Sequence, residues 1–251
     1  MSSLVRTLFV LGIFALATEA AFSSDASLDS SPESSPEYDW QFVKEELGVK
    51  VYTAAVTGSK YKIFKGVTIL DTSMASVLGV LSDTPACSEW LHLCRHSETL
   101  EFTSFNRRII YQVNNLPFPV RDRDLVVLAT TSYQADTGSF VLTLESKPDL
   151  YPLKKPTRIR LSYGSYTLIP IAKEQIKVVW EHFADPAGSI PSLLVNALVV
   201  DIPLHSLVNL KKLVTEQKYQ SLQIDFDDHG IPVGLIDSRT GKSVMGKVSE
   251  D

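Results

Sequence analysis

The sequence has no clustered Lys and Arg surface: 24 basic residues stand against 29 acidic ones, leaving a net charge of −5 at pH 7. Phosphate binding needs concentrated positive charge, so a nucleic-acid partner is not expected. The chain has no internal repeat, and beyond its first twenty residues no second long apolar segment stands out. No Ser or Cys nucleophile motif accompanies its histidines. Asp225-x-Asp227-x-His229-Gly230 opens like a calcium loop, but the twelfth position is Ile236 rather than Glu, which excludes that site. Cys87, His92, Cys94 and His96 crowd together, yet their spacing matches no common zinc pattern. No metal and no cofactor is therefore expected.

What is present begins with Leu8 to Leu16, a short apolar run after Arg6, followed by the small residues Ala15, Ala17 and Ala20. This is the pattern of a cleaved signal peptide over residues 1–20. The run is too short to span a bilayer, which takes roughly 20 residues. An uncleaved amphipathic anchor is the alternative reading. No cysteine follows the run to carry a lipid. The expected location is therefore outside the cytoplasm, periplasmic or secreted. Residues 21–37 are rich in Ser, Pro and acids and read as a flexible spacer. A ligand-binding domain over 38–219 and a polar C-terminal tail over 220–251 follow. With 44% hydrophobic residues, the length supports one domain with a sizeable core.

The spacing of apolar residues predicts a helix over Tyr38 to Leu47 that stops at Gly48. Strands are predicted over Val49 to Val56 and Lys60 to Leu70. Ser73 caps a helix running to about Leu81, with Val77, Leu78 and Leu81 on one face. Six strands follow: Thr99 to Thr103, Arg107 to Val113, Leu125 to Tyr133, Ser139 to Glu145, Arg158 to Ile169 and Gln175 to Ala184. Asn106, Asp136-Thr137-Gly138 and Ile169-Pro170 mark turns between them. Pro191 opens a long helix with Leu194, Ala197, Leu198, Leu204, Leu207 and Leu210 in its apolar stripe. Pro203 lies inside and is expected to kink or split it near Asp201. Strands before and after helices on one antiparallel sheet define an α+β fold, with a strongly curved sheet wrapped around the last helix. Such a sheet can leave an interior that side chains do not fill.

Two stretches sharpen this. The first is Asn114-Asn115-Leu116-Pro117-Phe118-Pro119-Val120-Arg121-Asp122-Arg123-Asp124. The second is Asp185-Pro186-Ala187-Gly188-Ser189-Ile190-Pro191, running into Leu193-Leu194-Val195-Asn196. Together with Trp90 followed by Cys94 and Leu100, and Trp180 shortly before Asp185, they resemble the START (steroidogenic acute regulatory protein-related lipid transfer) domain family from about Tyr38 to Tyr219. Ala187 replaces one glycine of the family's turn. The resemblance implies a helix-grip fold with an internal apolar cavity, lipid or hydrophobic-ligand binding, and no catalysis. In some animal sterol carriers of the family a buried acid faces a buried Arg. The nearest positions here, Ile110 or Tyr111 and Ala129, are uncharged, so a sterol is not implied.

Candidate ligand contacts follow from strand and helix faces. Trp180 and His182 share one face of a strand, as do Ile109, Tyr111 and Val113. Arg121 or Arg123 could meet a polar headgroup; the alternative is a charge cluster with Asp122 and Asp124 that fixes the turn. Leu194, Ala197 and Leu198 offer apolar contacts from the long helix. Asn196 is either a ligand contact or an amide bonded to a neighbouring backbone. Ser189 is a candidate helix cap. Cys87 and Cys94 would sit roughly 10 Å apart on a continuous helix, too far for a disulfide, unless Pro85 and Trp90 bend the chain. The Pro-rich loop from Lys147 to Arg160 is either an ordinary surface loop or a lid meeting lipid headgroups. The expected function is binding and transport of a lipid or other hydrophobic molecule by a monomer, with transient membrane-surface contact. The helix after Pro191 and this loop are the expected gates. A cavity-based cyclase or hydrolase and a non-transporting lipid sensor are the alternatives.

Overall fold

The computed structural model describes residues 37–246. The expected signal peptide and all of the spacer up to residue 36 lie outside the described residues. In chain order come strands β1 (Gln41–Glu46), β2 (Val49–Ala55) and β3 (Lys62–Leu70), helix α1 (Met74–Ser82) and the single turn α2 (Cys87–Trp90). Strands β4 (Cys94–Ser104), β5 (Arg107–Asn114), β6 (Arg123–Gln134), β7 (Ser139–Ser146), β8 (Thr157–Arg158), β9 (Leu161–Ala172) and β10 (Gln175–Asp185) follow. Helices α3 (Ser192–Leu213) and α4 (Gln217–Gln220) lead to β11 (Leu222–Phe226), β12 (Pro232–Asp237) and β13 (Lys242–Gly246). The main sheet runs β1-β2-β3-β10-β9-β7-β6-β5-β4 with antiparallel neighbours, and β8 adds a short parallel pairing to β6. This is the helix-grip arrangement, an antiparallel sheet curved around α3.

The N-terminal helix expected over Tyr38 to Leu47 is instead β1. Leu47 and Gly48 form the two-residue turn of a hairpin, both with positive φ, so Gly48 closes a turn rather than ending a helix. The strand buries none of its own side chains; Phe42 and Val43 stay exposed. Tyr38 and Trp40, just before the strand, reach the core, and backbone pairing to β2 set the conformation from Gln41 onward. Ser73 caps α1 as expected, its hydroxyl accepting from Ser76 N at 3.1 Å. Ile169-Pro170 is not a turn. Strand β9 continues through it to Ala172, with a register shift beside Pro170 that accommodates the missing N–H. Ser189 does not cap α3, whose first residue follows Pro191 without a side-chain cap.

Helix α3 runs unbroken through Pro203, so the expected split near Asp201 does not occur. It is also long and apolar enough to cross a membrane by length and composition, where no such segment was expected. Here it is a core helix. Its C-terminal half buries Pro203, Leu204, Leu207 and Leu210 against the sheet. The close approach is made at Gly66 of β3. A Cβ there would stand 2.7 Å from Leu207 Cδ1 and 3.0 Å from Pro203 Cβ. A proline ring, with no N–H to satisfy, is thus accommodated where the helix meets bare backbone.

The cysteines are joined: Cys87 and Cys94 form a disulfide with Cα atoms 5.9 Å apart. The helix between them is only one turn long, and Leu93, with φ of 69°, swings the chain round into β4. Downstream of α4, β11-β12-β13 form a separate three-stranded sheet. Leu222 and Leu235 from it belong to the main hydrophobic core and α1 meets it at Gly79.

The helix-sheet contact makes a prediction. Gly66→Ala forces Leu207 and Pro203 back and is expected to lower unfolding stability by about 1–3 kcal/mol, read by urea denaturation. An unchanged midpoint would mean that α3 can lift from β3 freely.

Candidate functional site

Inside the curved sheet lies a cavity of about 220 Å³. Every strand from β3 to β4 along the sheet order contributes to it: Phe64, Trp180, Tyr166, Leu142, Leu125, Ile110 and Ser97 in turn. The N-terminal half of α3 covers it with Leu194, Val195, Leu198, Val199 and Ile202. Helix α3 therefore has two duties. Its second half is pressed into the sheet, and its first half roofs a space.

An aromatic cluster forms one wall. Trp180 stacks on Tyr166 with ring centroids 4.9 Å apart and meets Phe64 edge-on at 4.7 Å. His182 continues the same strand face, and its Nε2 is 3.0 Å from Ser162 Oγ. Burial draws the His182 pKa down to about 4. Its Nδ1 has no partner, so no carboxylate orients the ring. A serine paired with so weak a base, without a third group, lacks the activation that nucleophilic catalysis requires. The pair is a polar spot in an otherwise largely apolar wall.

Arg123 enters the cavity wall at the start of β6 and is buried. Its guanidinium donates to three backbone oxygens: Nε to Pro186 O at 2.7 Å, Nη1 to Arg121 O at 2.7 Å and Nη2 to Ala187 O at 3.0 Å. The two stretches singled out in the sequence are thereby tied to each other. Ala187 has φ of 57°, a left-handed backbone held by Asp185 Oδ1, which accepts from Ala187 N at 2.9 Å. The neighbouring charges are used differently from a mutual cluster. Asp124 pairs with Arg158 at 2.8 Å, both side chains buried, and Asp122 pairs with Arg95 at 2.9 Å. Arg158 also donates to the carbonyls of Pro148, Tyr151 and Pro152. These bonds pin the Pro-rich loop to the outer side of β6.

The expected contact residues divide. Trp180, His182, Arg123, Leu194 and Leu198 lie on the cavity. Arg121 and Ala197 are exposed. Asn196 points away from the cavity, and its Oδ1 accepts from Lys62 N at 3.2 Å, the backbone-bonded alternative. Ile109, Tyr111 and Val113 lie on the other face of β5, where Ile109 and Tyr111 join Val126 in a small cluster under Tyr151. The inward face carries Arg108, Ile110, Gln112 and Asn114. This corrects the placement, and the cause is physical. Tyr151 of the Pro-rich loop, with Leu100 and Leu128 of the neighbouring strands, covers the apolar outer face, and the more polar stripe faces inward. Alternation alone assigns polar side chains to water and offers no signal for this inversion.

An apolar chamber enclosed between a curved antiparallel sheet and a C-terminal helix defines the class of small-ligand cavity proteins. A START domain model matches residues 30–218, and the chain belongs to that family. It is 34% identical over 174 residues to an uncharacterized protein of Pseudomonas aeruginosa, covering 69% of this chain and 85% of that one. It is 27% identical over 165 residues to the human phosphatidylcholine transfer protein, covering 63% of this chain and 75% of that one. Among solved structures, the STAR-related lipid transfer protein of Xanthomonas axonopodis shares 34% identity with a TM-score of 0.66, covering 70% of this chain and 99% of that one. Human STARD10, at 20% identity, shares the fold with a TM-score of 0.62 over 71% of this chain and 74% of that one. The family and these relatives support hydrophobic-ligand binding or transport in general terms.

Two outcomes follow from the site. Arg123→Met strands three carbonyls that a guanidinium now satisfies. At ~1.5–3 kcal/mol for a hydrogen bond to a charged group, the loss is expected to be about 3 kcal/mol or more, measured by denaturant unfolding. A loss below ~1 kcal/mol would mean that water replaces the clamp. His182 has a folded pKa depressed from 6.5 to about 4. The native state then resists protonation while the unfolded chain accepts it. Its contribution is therefore complete above pH 6.5 and lost as pH falls toward 4, on the order of 3 kcal/mol over that window. Comparing stability against pH for the native protein and His182→Gln reads this directly, and identical slopes would count against a dry His182.

Proposed function

We propose that this chain is an exported, monomeric carrier that takes a lipid or other hydrophobic molecule out of water into the cavity under α3. The observation that carries the reading is the largely apolar chamber lined from seven adjacent strands and roofed by half a helix. Burying ~400 Å² of ligand surface contributes on the order of 10 kcal/mol by area before ordering and association terms reduce it. The volume lies just under the ~300–1,000 Å³ usual for small-ligand sites. A slim ligand, or one that pushes the roof outward, fits best.

A ligand must enter, and the first turns of α3 are the gate. They face the loop after β5, whose Leu116, Pro117 and Val120 line the cavity beside Ile190 and Leu194. Phe118 in that loop is 97% exposed and Leu193 at the start of α3 is 84% exposed. Two large apolar side chains held in water next to cavity-lining residues suit contact with a membrane surface, where burial repays their exposure. The Pro-rich loop is the weaker gate, since Arg158 fastens it. The disulfide supports an oxidising compartment, consistent with export. Noncatalytic binding is favoured over a cyclase or hydrolase because His182 lacks an orienting carboxylate.

Native mass spectrometry of the purified protein is expected to show a co-purified lipid-sized adduct. An empty protein that takes up no lipid from vesicles would sink the carrier reading. For the gate, Lys62→Cys with Asn196→Cys places a crosslink where Lys62 N already meets Asn196 Oδ1. Oxidation is expected to slow ligand exchange severalfold, with the native protein under the same conditions as control. Undiminished exchange would rule out the helix as gate. Sequencing the N-terminus of the protein recovered outside the cytoplasm is expected to give Ala21.

A further inference from the structure

Among the described residues, Arg108 is a buried charge with no ion-pair partner. It stands at the start of β5, opposite Ala129 of β6, and lines the cavity. The residue is only 2% exposed. Its Nη2 donates to Leu81 O at 3.1 Å, and its Nε is buried without a partner. Among the described residues no carboxylate lies within ion-pair distance of it. The cavity's one lining carboxylate, Asp83, is already engaged: it accepts from the Tyr219 hydroxyl at 2.8 Å and sits 3.7 Å from Lys218 Nζ. The other two lining cations are Lys62 at the rim and Arg123, whose donors are taken by carbonyls. A protein with net charge −5 thus lines its apolar chamber with three basic side chains and one acidic one.

A buried guanidinium is tolerated when an anion and further hydrogen bonds match it. Arg108 has one carbonyl. Burial draws its pKa down to about 10, so it keeps its charge at neutral pH. Arg158 shows the contrast within the same sheet, since it is equally buried but grips Asp124 with two nitrogens and three carbonyls besides. We propose that the missing partner of Arg108 is the anionic head of a single-chain amphiphile, a carboxylate or a phosphate monoester, whose tail lies along the apolar wall. The proposal rests on the carrier reading and specifies the chemical class of its ligand.

The geometry gives a direction. From Arg108 to Asn114, β5 advances about 20 Å at ~3.3 Å per residue. Its far end leads into the loop that carries Phe118. The head therefore sits at the deep end, beside Leu81 and Thr84, and the tail runs past Ile110 toward Leu116 and the mouth. A planar guanidinium with free donors suits the paired oxygens of either anion. The modest volume favours one chain over two.

The test uses the delipidated mature protein and three probes with the same saturated chain: palmitate, hexadecyl phosphate and hexadecanol. Dissociation constants are measured by displacement of a fluorescent lipid. The native protein is expected to bind at least one anion on the order of tenfold more tightly than the alcohol. Whichever anion wins distinguishes a free fatty acid from a phosphate headgroup. Arg108→Met should abolish the preference, so that this variant binds both anions no more tightly than it binds hexadecanol, and Arg108→Lys should retain part of it. Without ligand, Arg108→Met should unfold at the same temperature or higher, because an uncompensated buried cation has been removed. Equal binding of all three probes by the native protein overturns the proposal without any variant, while leaving the carrier reading standing. A preference that survives Arg108→Met overturns it too. Failure of every probe, the alcohol included, overturns the carrier reading and this inference together.

Discussion

The chamber depends on Arg123. Its three hydrogen bonds join the opening of β6 to the turn that launches α3. Without that joint the helix would still find the sheet at Gly66, and its first half would keep only the Asn196–Lys62 hydrogen bond and the packing of Val195 and Val199. A roof over a cavity has few contacts beneath it, so its ends carry much of the positioning. Arg123 does this at one end, and the tight seat of Pro203 and Leu207 over Gly66 does it at the other. Backbone carbonyls rather than carboxylates neutralise the guanidinium, so the joint needs no acid in the cavity wall.

The same division explains the two characters of α3. A helix that packs on one side needs one apolar stripe. Here the stripe changes its task along the length, from Leu194 and Leu198 over the void to Leu204, Leu207 and Leu210 against the strands. The helix is apolar enough by composition to pass for a membrane span for this reason. Leu193, in the first turn of the helix, is exposed. The second half is packed on strands and the first half stands over the cavity.

Much of this was legible in the residues. The strand alternation, Ser73 as a cap and the ordered stretches around Pro117 and Asp185 pointed to the helix-grip arrangement. Trp180 and His182 do face the chamber. The failures have particular causes. Tyr38 to Leu47 has helical spacing, but only Tyr38 and Trp40 reach the core, and pairing to β2 prevailed from Gln41 onward. Ser189 lies too far before the helix start to cap it, and Pro203 does not split the helix that it sits in. The most instructive error is β5. Ile109, Tyr111 and Val113 look like an inward face until the loop pinned by Arg158 covers them from outside. Arg108, Gln112 and Asn114 look like a wet face until the sheet curls around them. Binary patterning assumes that one side of a strand is core and the other water. A strand that walls a binding chamber has a third environment, and nothing in a single sequence marks it.

The three strands after α4 bear on what counts as the domain. The family match stops at residue 218, yet Leu222 and Leu235 lie in the same hydrophobic core as Trp180, and α1 meets Leu222 at Gly79. Ser76 Oγ donates to Tyr219 O at 3.1 Å on the same side. The recognised module and the cooperative module are therefore different lengths. A fragment trimmed at the end of the match would leave the back of α1 bare, directly behind the end of the chamber where Leu81 meets Arg108. In this chain the C-terminal appendage is a backing plate, and swapping the matched segment alone into another protein would transplant a vessel without its base.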